Sequence, residues 1–157
     1  MLRNFIIFLF LSLASCWASE NNLKPFVTDF CTGYPEGTIL HPKLWRHCCI
    51  EHDLYLWAGG SSKDRLQVDK GLLACVQKTG AVVNGSLIYW GVRLGNLSPI
   101  KFEDKKWGNG WIKARGTEAL TYDEIDYIER FLLAHQSPYL NDESISLFVD
   151  SLRKRIP

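Results

Sequence analysis

Leu44-Trp45-Arg46-His47-Cys48-Cys49-Ile50-Glu51-His52-Asp53-Leu54-Tyr55-Leu56-Trp57-Ala58-Gly59-Gly60 is the stretch that decides how this chain folds, because it sets paired cysteines, a histidine and an aspartate within six residues. At about 100° per residue, Leu44, Trp45, Cys48, Cys49, His52, Tyr55 and Leu56 share one arc of a helix, with His52 near its middle and Asp53 at its edge. An imidazole aimed toward a core needs a polar partner. Pro42 is tolerated in a first turn and Gly59-Gly60 is a stop signal, so the spacing predicts a helix from 42 to 57.

Ser61-Ser62 offers a cap for a second helix, which runs through KDRLQVDKGLLACVQKT to a stop at Gly80. Its apolar face holds Leu66, Leu72, Leu73 and Val76, and Asp69 lies inside that face. A carboxylate among leucines costs several kcal/mol unless something pairs with it. That partner is either the imidazole of the first helix or a neighbouring base, Arg65 or Lys70. The short turn between the helices makes them antiparallel. A Cys48 to Cys75 bridge would then staple them with His52 and Asp69 offset in the same direction.

Outward from this pair, residues 81–95 form a third apolar helical segment weakened by Gly85 and Gly91. A Gly, Lys and Trp loop follows, ending Lys105-Lys106-Trp107-Gly108-Asn109-Gly110-Trp111; its tryptophans suit either a lipid or sugar surface or tight packing. Thr121-Tyr122-Asp123-Glu124 is a capping box that opens a helix to His135. A last amphipathic helix, Asp142 to Arg153, is expected to turn Ile145, Leu147, Phe148 and Leu152 inward. On the other side, Phe30 to Thr38 carries two Gly and one Pro. That composition makes a tight loop, able to turn carbonyls toward a hard cation or simply to connect. The expected fold class is all-α.

The 157-residue chain opens with Arg3, an apolar run from Phe5 broken only by Ser12, and then small residues. This reads as a secretory signal, too short for a membrane span. Leu13-Ala14-Ser15-Cys16 has the form of a bacterial lipobox, which predicts cleavage after residue 15 and a lipid on Cys16; cleavage after Ala18 without lipid is the alternative. Residues 16–29 then form a tether, and 30–157 one domain. The +1 net charge offers no basic field for nucleic acid. Of the five cysteines, lipid on Cys16 leaves Cys31, Cys48, Cys49 and Cys75. Export favours two disulfides among these four, with the adjacent pair bridging outward, one to Cys31 and one to Cys75.

Cys48-Cys49-Ile50-Glu51-His52-Asp53 resembles the CCxxHD signature of secreted phospholipase A2. The resemblance extends to Asp69 with Cys75 six residues on, and to Cys31 in an upstream loop. The short His52 to Asp69 interval is similar to the compact prokaryotic and fungal members, and the match covers residues 30 to 77. It implies a core of two antiparallel disulfide-linked helices bearing additional C-terminal helices, with Cys31 bonded to Cys49 and Cys48 to Cys75. It also implies Ca²⁺-dependent hydrolysis of the sn-2 ester of glycerophospholipids at a membrane surface. His52 would be the general base on water and Asp69 would orient it, while Asp53 and the carbonyls of Phe30, Thr32 and Tyr34 would hold the ion. The family's tyrosine four residues after the histidine is here Leu56, with Tyr55 one residue out of register.

The chain could be a phospholipase-fold envelope lipoprotein that binds lipid or a protein partner without catalysis. His47, Cys48, Cys49 and His52 also offer zinc spacing. The expected location is an exported one, on the bacterial cell envelope through the lipid on Cys16, or periplasmic or secreted without it.

Overall fold

A computed structural model describes residues 22–97 and 106–156, with 96 and 97 by backbone alone. The expected signal, Cys16 and residues 17–21 lie outside these residues, and of the expected tether Leu23 and Phe26 are buried in the core. The described chain is all-helical: α1 Arg46–Ala58, α2 Ser62–Lys78, α3 Val82–Leu97, α4 Tyr122–Ala134 and α5 Asp142–Arg153. The only β pairing among the described residues is a bridge between Leu23 and Trp111.

α1 begins at Arg46 rather than at Pro42. The Trp45 amide is drawn to the Glu36 carbonyl (2.9 Å), and its indole nitrogen donates to the Pro35 carbonyl (2.7 Å). Residues 42–45 therefore close turns against the preceding loop instead of a first helical turn, and Arg46 pairs with Glu36 across them. α2 starts where a cap dictates: Ser61 accepts from the Asp64 amide while the Asp64 side chain accepts from the Ser61 amide. The same reciprocal arrangement opens α4 at Thr121 and Glu124, and α5 at Asn141 and Ser144.

Two bridges lock the first half of the molecule. Cys31 is bonded to Cys49 and Cys48 to Cys75, with Cα separations of 5.2 and 5.7 Å. The second joins the start of α1 to the end of α2, which makes these helices antiparallel. Around the sulfurs, Trp45, Leu72, Val76 and Ile88 form one buried cluster. A larger cluster gathers the other half of α1, from Leu54 to Ala58, with Phe26, Val68, Trp107 and the inner faces of α4 and α5. Each such side chain contributes on the order of 1.5–3 kcal/mol of burial. His52 and Asp53 fall at the seam, between the cysteines in one cluster and Leu54 in the other.

α5 turns Ile145, Phe148, Val149 and Leu152 inward and leaves Leu147 66% exposed, contrary to the expected face. Leu147 lies about 200° round the helix from Ile145, and Val149 holds the inward place.

The segment after α3 serves the end of α1. A helix leaves its last carbonyls without intrahelical donors. Here Gly108 N donates to Leu56 O (2.7 Å), Gly110 N to Trp57 O (3.0 Å) and the Trp111 indole to Ala58 O (2.8 Å). The Trp107 indole donates to the Gly60 carbonyl (2.6 Å). The loop tryptophans are thus packed, Trp107 buried and Trp111 partly so. The approach requires glycine: a Cβ on residue 110 would stand 2.5 Å from the Trp57 indole nitrogen. Gly85 plays a like part between α2 and α3, where a Cβ would meet the Leu73 carbonyl at 3.1 Å.

Candidate active site

His52 and Asp69 meet across the antiparallel pair. The His52 Nε2 and the Asp69 Oδ1 are 3.0 Å apart, in side chains 10% and 3% exposed. Asp69 also accepts on Oδ2 from Arg93 Nη1 at 2.9 Å. Burial pushes the Asp69 carboxyl up, but the hydrogen bonds and charges of His52 and Arg93 outweigh it and hold the group below its ordinary value. An ionised carboxylate only accepts, so Nε2 carries the proton and Nδ1 keeps its lone pair. Burial likewise disfavours the imidazolium, yet Asp53 and Asp69 together raise His52 above 6.5. Asp53 acts there through its charge, since its Oδ1 is 4.0 Å from Nδ1, beyond hydrogen-bond reach.

Arg93 escaped the sequence reading. Its signal is isolation: between Ala81 and Leu97 it is the single charged residue in an otherwise apolar and small-residue segment. Such a charge has a partner on a neighbouring element. Arg65, one of the two bases expected beside Asp69, couples to it electrostatically and lies over the Trp107 ring at 5.8 Å. Tyr55 does not serve Asp69. Its hydroxyl bonds Ser151, its ring packs edge-on against Phe148, and Arg155 covers its face. Leu56 is buried and supplies no donor.

The Asp53 carboxylate lies beside the 30–34 loop. Its Oδ2 accepts from the Thr28 hydroxyl (2.6 Å), whose oxygen in turn accepts from the Phe30 amide (2.9 Å). Among the described residues no Lys or Arg pairs with Asp53. Phe30 and Thr32 both adopt left-handed backbone, φ 63° and 43°, a conformation that costs side-chain-bearing residues of order 1 kcal/mol or more. The donor set, a carboxylate without a basic partner beside a loop of backbone oxygens, suits a hard cation. Zinc does not fit: His47, Cys48 and Cys75 cluster within 4.8 Å, but both sulfurs belong to one disulfide, and Cys49 is bonded as well.

His52, Asp53 and Asp69 line a cleft of about 760 Å³ that runs from the Phe30 to Tyr34 loop, past Leu72 of α2, to Ile88 and Val92 of α3. The outer face of α3 is apolar too, with Val83, Leu87, Trp90 and Leu94 each more than half exposed at spacings of four, three and four residues. No helix among the described residues is long and apolar enough to cross a membrane.

No protein-family model, no curated protein and no solved structure matches this chain.

Proposed function

We propose that this protein is a calcium-dependent phospholipase A2-like hydrolase that cleaves the sn-2 ester of glycerophospholipids at a bacterial envelope membrane. The observation that carries the reading is the His52 ring. Its Nε2 is committed to Asp69, and its Nδ1, without a hydrogen-bond partner among the described residues, belongs to a ring lining a cleft large enough for an acyl chain. A water placed at Nδ1 attacks the ester carbonyl carbon as its proton passes to that nitrogen. The imidazolium so formed is stabilised by Asp69, and Nδ1 then returns the proton to the departing lysophospholipid oxygen. Calcium, held by Asp53 with the carbonyls of Phe30, Thr32 and Tyr34, would supply polarisation of the ester carbonyl.

The exposed apolar stripe of α3 supports contact with a lipid surface, because the same helix lines the cleft with Ile88 and Val92. A lipid on Cys16 would keep the domain there. The test is fatty-acid release from mixed phospholipid vesicles with millimolar calcium. His52→Gln is expected to abolish release while the helical circular dichroism stays unchanged.

A second reading, a non-catalytic lipoprotein that binds lipid or a protein partner, is favoured by one contact. The Thr28 hydroxyl occupies an Asp53 oxygen that a cation would use. Wild-type protein that binds vesicles but releases no fatty acid would establish it.

A further inference from the structure

We propose that Arg93 is a positioning residue: from α3 it holds the far oxygen of Asp69, so that the near oxygen keeps His52 in the Nε2–H form with Nδ1 turned to the cleft. The inference rests on the hydrolase reading and adds to it a residue that the motif does not contain. The resemblance assigns this task to a phenol four residues after the histidine, and here that position is Leu56, which has nothing to donate. The neighbouring phenol, Tyr55, is spent on Ser151, with Phe148 and Arg155 packed on its ring.

A carboxylate held through one oxygen can swing about its terminal torsion and offer either oxygen. The Arg93 Nη1 at 2.9 Å from Oδ2 and the His52 Nε2 at 3.0 Å from Oδ1 engage both oxygens from two helices, and so fix the plane of the carboxylate. The carboxylate is 3% exposed, which makes a stranded oxygen costly. Arg93 itself keeps about a third of its side chain in water and carries no other hydrogen bond or ion pair among the described residues, so its guanidinium is directed to this one acceptor. A guanidinium is planar and rigid where an ammonium is not, so it presents its Nη1 donor to Oδ2 in a fixed direction. The clamp also makes the site a product of three helices, since α1 supplies the base, α2 its carboxylate and α3 the group that aims the carboxylate.

The experiment compares full-length wild type, Arg93→Lys and Arg93→Gln. One readout is kcat and KM for fatty-acid release from mixed phospholipid vesicles with calcium. The other, taken without substrate, is the low-field proton resonance of the His52 Nε2–H bonded to Asp69. Expected is a fall in kcat on the order of 10- to 100-fold for Arg93→Gln with KM unmoved, the range that loss of such supporting contacts produces. Arg93→Lys should lie between, with the resonance retained, while in Arg93→Gln the resonance broadens away as the proton exchanges with water. A folded Arg93→Gln with wild-type kcat and an intact resonance overturns the proposal. Should Arg93→Gln not fold, Arg93→Lys carries the test, and a lysine variant equal to wild type in both readouts overturns the role given to the guanidinium. If the wild type releases no fatty acid but Arg93→Gln loses the resonance, the hydrolase reading falls while the positioning role stands.

Discussion

His52 titrates between two carboxylates, and its environment fixes the sign of two pH effects. Its folded value lies above 6.5, so its contribution to stability is complete below 6.5 and is lost as pH rises through the folded value. Asp69 is the same contact seen from the other end. It is held below its ordinary 3.8, so its contribution is present above 3.8 and is lost as pH falls through the folded value. Urea midpoints measured across pH should therefore decline on the alkaline side of 6.5 in the wild type, and this decline should be absent in His52→Gln. The proposed hydrolysis would run the opposite way on that limb, because a general base must be neutral. Fatty-acid release is expected to rise with pH through the raised His52 value, and a rate independent of pH from 5 to 8 would count against His52 as the base. Asp53→Asn is expected to raise the calcium needed for half-maximal release at least tenfold, read from a calcium titration of the same assay.

Elements differ in how far their own residues determine them. α5 runs from Asp142 to Arg153 as its sequence predicts, because its cap, Asn141 with Ser144, is local. α1 does not start where Pro42 suggests, because a carbonyl nine residues upstream, that of Glu36, competes for the Trp45 amide. Asp69 was legible as a buried acid because its place on an apolar face could be read from α2 alone. Arg93 was not, because what it pairs with lies on another helix, 24 residues back. The 106–111 loop has no periodicity to read, and its role appears only against the carbonyls of α1. Gly110→Ala drives a methyl into the Trp57 indole and should cost roughly 1–3 kcal/mol in a thermal or urea melt. Ser61→Ala removes the α2 cap, and about 1 kcal/mol is expected.

The whole molecule is held unevenly. Both disulfides sit in the cluster built on the first half of α1, whereas the cluster with α4 and α5 depends on side-chain packing and caps. Cys48→Ser with Cys75→Ser should cost about 2–4 kcal/mol and, by freeing α2 from α1, should cost catalysis more than it costs helix content. Non-reducing peptide mapping should return Cys31 with Cys49 and Cys48 with Cys75, and never Cys31 with Cys75. α3 stands apart from these constraints in being apolar on the face that meets water as well as on the face that meets α2. Its tryptophan is informative for that reason. Trp45, Trp57 and Trp107 are enclosed and Trp111 is half-covered, so Trp90 is the one indole among the described residues that stands mostly in solvent. The protein thus carries its own optical probe: entry of α3 into a bilayer would shift the emission of Trp90 to the blue and shield it from aqueous quenchers, with no label attached.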